Sequence, residues 1–261
     1  MEIPKYWQKQ EKPLFSDLAW NFPEQKQGSI SVLGGNAQNF SSVDRASGRL
    51  LNNFPVNEVF SLLPDALRSK LPPVPSIKFF PSTDSGSFKK SSELSYALDK
   101  TDFGLLIGDF SRNSETAIAV AEAILYTEKP LLITRDTVDL ILNDAIEIIK
   151  KDNLIILGSM AQMQKLFRAV YYPKVLLLSM PLLPVVEALH KFTITYQTTI
   201  ITFHQGQILV AKDGEVISTP IEKTKYSPLS LWGGELATKI AAYTLFNPKQ
   251  PLEAAAAAIF D

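Results

Sequence analysis

The sequence predicts a three-layer α/β domain: a mainly parallel central sheet with helices on both faces and an antiparallel meander near the C-terminus. Three observations lead to it. Short all-apolar runs alternate with longer segments whose apolar residues recur at helical spacing, the pattern of strands buried on both faces. Two of the runs stop at glycine, at Gly34-Gly35 and at Gly108-Asp109, as strands do where a chain must turn into a helix. The last third changes grammar, with strand-like runs joined by tight turns.

The chain has 261 residues, of which 46% are hydrophobic and 20% charged, enough to build one large core. With 26 basic and 27 acidic residues the net charge is −1 and no basic run exceeds a pair, so nucleic acid is excluded as a partner. There is no cysteine and there are only two histidines, His190 and His204, so disulfides, thiolate nucleophiles and Cys- or His-rich metal sites are excluded, and no metal ligand is assigned. The opening residues mix charges with aromatics, and no later run has the length of a membrane span. The expectation is a soluble cytoplasmic protein without a membrane partner.

Taken in order, residues 1–28 carry Pro4, Pro13 and Pro23 and read as an irregular arm, and residues 29–261 as a single domain. Residues 30–33 are a strand ending at Gly34-Gly35, followed by a helix that Ser41 or Ser42 caps, with Val43, Ala46 and Leu50 on one face. Residues 76–80 are a strand, 82–87 a polar loop or lid, 91–98 a short helix, and 103–107 a strand closed by Gly108-Asp109. Then come a helix at 114–127, a strand at 130–134, a helix at 138–150, a strand at 154–157, a helix at 160–171 and a strand at 175–178. The meander comprises 199–203, 207–211 and 215–219. Helices at 236–246 and 252–260 close the chain, the last with five consecutive alanines that pack closely on a neighbour.

With this order of parts in place, three stretches resemble the ribokinase-like superfamily, and within it the ADP/ATP-dependent NAD(P)H-hydrate dehydratases. They are KQGSISVLGGN at 26–36, DFGLLIGDFSRN at 102–113, and the closing meander with SPLSLWGGELATKIAAY at 227–243. The resemblance implies ADP or ATP as cosubstrate, with or without Mg²⁺, a hydrated nicotinamide cofactor as substrate, and a homo-oligomer. The family's closing Gly-[ST]-Gly-Asp turn is matched by Trp232-Gly233-Gly234-Glu235, which implies backbone N–H groups around a phosphate and Glu235 as the acid/base residue. Other motifs differ. The family's Gly-Pro-Gly-x-Gly stands here as Gly108-Asp109-Phe110-Ser111-Arg112, and Asp-Ala-Asp as Thr134-Arg135-Asp136. Thr-Pro-His-x-Gly-Glu falls at 157–162 without its His, Pro or Glu, and Val-Leu-Lys-Gly at Ile201-Thr202-Phe203-His204 without its lysine.

The site candidates follow, each with a plainer structural reading beside it. Gly35, Asn36 and Gln38 line the substrate side of a cleft, or only turn the chain. Gly108, Asp109 and Asp136 meet the substrate at the carboxyl edge of the sheet, or act as turn and cap residues. Trp232, Gly233, Gly234 and His204 contact the nucleotide, with Glu235 catalytic, or Gly233-Gly234 only starts a helix. Two other functions remain open: a small-molecule kinase of the same superfamily, and a degenerate member that binds a nucleotide or a partner without chemistry.

Overall fold

The computed structural model describes residues 4–261. In chain order its elements are β1 (Trp7–Lys9), β2 (Gln27–Gly34), α1 (Ser41–Asn53), β3 (Val56–Pro64), β4 (Ile77–Phe80), α2 (Ser92–Asp99), β5 (Phe103–Gly108), α3 (Ser114–Tyr126) and β6 (Leu131–Thr134). They continue with α4 (Asp136–Leu140), α5 (Ala145–Ile148), β7 (Leu154–Gly158), α6 (Met160–Ala169), α7 (Leu182–Thr195), β8 (Thr199–His204), β9 (Gln207–Lys212) and β10 (Glu215–Pro220). The chain closes with α8 (Ser230–Gly233), α9 (Glu235–Phe246) and α10 (Pro251–Phe260).

Ten strands form one sheet in the order β1-β10-β9-β8-β7-β6-β5-β2-β3-β4. The seven strands from β8 to β4 in that order are parallel, β8, β9 and β10 form the antiparallel meander, and β1 pairs parallel with β10. Side chains alternate across it. Leu105, Leu132, Ile155 and Ile201 enter a core shared with α1, α9 and α10, while Leu106, Ile133, Ile156 and Ile200 enter a second core under α2, α3, α6 and α7. This is the expected three-layer arrangement. Among the described residues no helix is long and apolar enough to cross a membrane.

Several elements depart from the sequence expectation. Part of the arm is regular: Trp7–Lys9 extends the sheet, and the Trp7 indole N–H donates to the Ser218 hydroxyl at 2.9 Å. Strand β3 was not anticipated at all. The run 175–178 is no strand; Leu176 is buried, but Val175, Leu177 and Leu178 are exposed. Strand β8 pairs directly with β7, so no place beside β7 remains for it. Residues 138–150 are not one helix but α4, a 3₁₀ turn at Ile141–Asp144 and α5, which still keep Val138, Ile141, Ala145 and Ile148 buried in one stripe. His190 lies inside α7, stacked on Tyr6 at 3.7 Å between centroids.

Helix α10 is largely enclosed. Ala254 to Ala258 are all buried, so the run offers no exposed face for self-association. Small side chains let this helix approach α9 and the strands closely, and Ala255 is fully buried and lines no cavity among the described residues. Ala255→Leu is therefore expected to lower the unfolding free energy by about 1–3 kcal/mol in denaturant titration, whereas a substitution to Leu at exposed Lys249 should leave it within about 0.5 kcal/mol.

Candidate functional site

In an open α/β sheet, ligands meet the carboxyl ends of the parallel strands. Here that edge begins with two backbones in close contact. A Cβ on Gly34 would collide with the carbonyl oxygen of Gly108, and the Gly35 N–H donates to that same oxygen at 2.9 Å. Gly35 has φ +93° and Gly108 φ +88°, values that side chains rarely adopt. Next to them the Asn36 amide donates to the Asp109 carbonyl at 2.6 Å, while its own oxygen accepts from Gln38 N–H (2.8 Å) and Asn39 N–H (3.1 Å).

The aspartates are drawn into the same knot. Asp136 fills the space where a Gly108 Cβ would stand, and its two oxygens accept from Asp109 N–H (3.0 Å) and Phe110 N–H (2.8 Å). Asp109 accepts from the Arg135 guanidinium at 2.7 Å and from Ser42 N–H at 3.2 Å, and both partners of the ion pair are largely buried. Arg135 also donates to the Ile107 carbonyl at 3.1 Å and to the Ser42 hydroxyl. Neither Ser41 nor Ser42 caps α1; a carboxylate from the end of β5 reaches its first turn instead. Burial raises the Asp136 carboxyl above the ordinary aspartate range, against the opposing pull of the two N–H groups and the Arg135 charge. Gln38 is exposed. The polar loop 82–87 is held down as well, with Ala37 N–H donating to Gly86 O (2.8 Å) and the Asn113 amide to the Ser85 hydroxyl (2.7 Å).

The second glycine turn sits at the same end of the molecule. Gly234, at φ +69°, joins α8 to α9, and a Cβ there would strike Ile107 of β5. The Gly233 carbonyl accepts from Arg49 of α1 at 3.1 Å, and the Gly234 carbonyl from the Thr238 hydroxyl at 2.7 Å. Glu235 opens the 12-residue α9 with an exposed carboxylate, and no side chain caps that terminus. Trp232 is half exposed.

The segment 225–235 contributes to two cavities. One, of about 270 Å³, lies at the ends of β7 and β8 and is mostly apolar, with Met160, Leu178, Phe203, Ile221 and Leu231 in its wall. His204 belongs to it, but its Nε2 is engaged with the Met180 carbonyl at 2.7 Å. The other, of about 230 Å³, is charged and is lined by Arg49, Lys225, Tyr226, Glu235, Lys239 and Asp261. Only Glu235 of these six was singled out from the sequence. Arg49 lies one turn beyond Arg45 on α1, and neither spacing nor motif distinguishes it from a solvated arginine.

No protein-family model and no curated protein matches the sequence. Solved structures do. A ribokinase-like superfamily protein from Enterococcus faecalis V583 superposes with a TM-score of 0.66 at 11% identity, covering 100% of this chain and 87% of that one. The fold is ribokinase-like. A hypothetical protein from Streptococcus mutans gives a TM-score of 0.65 at 16% identity over 95% of this chain and 87% of that one. The ADP/ATP-dependent NAD(P)H-hydrate dehydratase from Bacillus subtilis, co-crystallized with ATP/Mg²⁺ and soaked with CoA, gives 0.61 at 14% identity over 100% of this chain and 87% of that one.

On this ribokinase-like framework the candidates separate into two groups. Gly35, Asn36, Gly108, Asp109 and Asp136 come together, but their polar groups bind one another and the backbone. Gly233, Gly234 and Glu235 lie beside them across Ile107, with His204 in the neighbouring apolar cavity. A magnesium ion asks for one or two free carboxylates beside the phosphates it bridges. The oxygens of Asp109 and Asp136 are already engaged, and among the described residues no group of three or more His, Cys, Asp or Glu stands close enough to hold a metal. Asp109 and Asp136 therefore do not fit a protein-held Mg²⁺, and Glu235 is the free carboxylate beside the glycine turn.

Asp136 supplies a test of this knot. Asp136→Asn has one acceptor for two N–H donors, so it should cost about 1–3 kcal/mol. Because its carboxyl titrates higher in the folded than in the unfolded chain, its contribution is fully present below the unfolded aspartate range and is lost as pH rises through the folded value. The stability gap between parent and variant, measured by urea unfolding, should therefore be wider near pH 4 than at pH 7.

Proposed function

We propose that the protein is a nucleotide-dependent enzyme acting on a small hydroxylated substrate, in the manner of the ADP/ATP-dependent NAD(P)H-hydrate dehydratases. The observation that carries this reading is the Gly233-Gly234-Glu235 turn, which opens α9 beside the carboxyl end of β5. A helix N-terminus entered through glycines favours an anion by its dipole and by close backbone approach. The apolar cavity at the ends of β7 and β8 takes the nucleotide base, with His204 in its wall and Trp232 following Leu231 of that wall in sequence. The terminal phosphate then lies toward the glycine turn.

In this scheme Glu235 takes the proton of the substrate hydroxyl as its oxygen attacks the terminal phosphorus. The bond from that phosphorus to the nucleotide's bridging oxygen breaks, and the phosphorylated oxygen then leaves its carbon as phosphate while the adjacent carbon loses a proton and the C=C bond forms. The N–H groups of the turn stabilise the charge that moves. Gly35 and Gln38 form the opposite wall, where Gln38 keeps a free side chain, while Asn36, Gly108, Asp109 and Asp136 shape that wall from behind.

A second reading has its own support. The carboxylates at the ends of β5 and β6 spend their acceptors on the chain itself, which suits a protein that binds a nucleotide without turning anything over. One assay separates the two. Purified protein incubated with hydrated NADH and ADP or ATP should regenerate NADH absorbance, and Glu235→Gln should cut kcat by about 100- to 10,000-fold while the nucleotide-induced rise in Tm is retained. A nucleotide-induced rise with no turnover in the parent selects the binder, and no rise with either nucleotide rejects both.

A further inference from the structure

The charged cavity between α1 and α9 is not accounted for by this scheme beyond Glu235. We propose that it is a binding site for a small oxyanion of the phosphate class, held by Arg49, Lys225 and the Tyr226 hydroxyl. The proposal does not depend on whether the protein catalyses anything.

Tyr226 is the key observation. The residue is only 3% exposed, it lines the cavity, and its hydroxyl is buried without a hydrogen-bond partner. Buried hydroxyls are nearly always paired, because an unmade bond carries the full desolvation penalty. Burial, and then the nearby carboxylates Glu235 and Asp261, hold this phenol protonated well above the ordinary tyrosine range. It is therefore a donor in want of an acceptor.

The charges around it say which acceptor. Lys239 is paired with Asp261 at 2.8 Å, and the Tyr243 hydroxyl donates to the same carboxylate at 2.9 Å, so these groups satisfy one another. Lys225 acts on Asp261 as well, so three cations, Arg49, Lys225 and Lys239, stand against two carboxylates, Glu235 and Asp261. Arg49 has given one N–H to the Gly233 carbonyl, which leaves others of its planar fork for a second acceptor. The Lys225 ammonium stands 5.9 Å from the Tyr226 ring centroid on an exposed, flexible stem, and swinging it onto an anion would uncover the ring edge and its hydroxyl. An oxyanion with several lone pairs can accept from all three donors at once, and the cavity of about 230 Å³ admits a phosphate group. Since Arg49 also holds Gly233, a ligand here bears directly on the glycine turn.

Thermal unfolding of the whole chain tests this, with chloride replaced stepwise by inorganic phosphate at constant ionic strength and neutral pH, and in parallel by glycerol phosphate. The parent should show a saturable rise in Tm over chloride. Lys225→Ala should abolish most of the rise, and Tyr226→Phe should weaken the apparent affinity about tenfold while leaving Tm in chloride unchanged or higher, since it removes an unpaired hydroxyl. Glu235→Gln should strengthen binding by removing one of the two negative charges in the cavity wall. A rise of equal strength with both ligands assigns the site to the phosphate group alone, and a stronger rise with glycerol phosphate assigns it to a phosphate monoester. No rise with either ligand, a rise that survives both Lys225→Ala and Tyr226→Phe, or a Tyr226→Phe variant less stable in chloride would each overturn the proposal.

Discussion

The arrangement of the strand ends depends on one buried carboxylate, that of Asp109. It accepts from the first turn of α1, it pairs with Arg135 at the end of β6, and its own N–H is bound by Asp136. Three elements that share no sequence proximity are thereby fixed at one point. A buried pair of this kind adds little net stability compared with an apolar replacement, but removing one partner costs about 3–5 kcal/mol because a desolvated charge is left behind. The backbone conforms to the knot: Asp109 and Arg135 both hold positive φ, 64° and 59°, and Gly108 must be glycine for Asp136 to fit. Strain of about 1–3 kcal/mol at such a residue persists only where its surroundings over-determine it.

That knot divides the carboxyl edge into a closed part and an open part. At β2, β5 and β6 the carboxylates and the Asn36 amide are turned toward the chain and bonded there, while the Thr134 hydroxyl and Arg135 Nε are buried without a partner. At β7, β8 and the start of α9 the surface opens into an apolar cavity and a charged one, with the segment 225–235 contributing to both. Both cavities in this ribokinase-like fold thus draw on a single connecting segment. Its two glycines, its tryptophan and its glutamate were visible as a motif, whereas the basic groups that surround the glutamate come from α1, from the loop before α8 and from the second turn of α9.

The same contrast explains what could be read from the sequence. Strands β5, β6 and β7 announced themselves because both faces are buried and the runs are wholly apolar. Strand β3 was missed because VNEVFSLLP starts with polar residues near the rim of the sheet and carries a proline at its end. The run 175–178 has the composition of a strand but no vacant neighbour to pair with, and pairing is a property of the whole sheet. In the site, Asp109 and Asp136 were correctly placed at strand ends, yet their partner Arg135 is chosen by tertiary geometry: 26 residues separate it from Asp109, and only the parallel pairing of β5 with β6 brings the two within reach. Tyr226 gave no signal, since an unsatisfied hydroxyl exists only once everything around it is in place.

Strand β1 has a consequence for how the chain is made. It adds to the outer edge of the sheet against β10, and its tryptophan bonds to a serine 211 residues later in the sequence. Strand β1 is thus made long before the strand it pairs with, and closing so long a loop carries an entropic cost that a preformed meander offsets. Strand β1 waits for β10 to be made, and its docking extends the meander rather than starting the sheet.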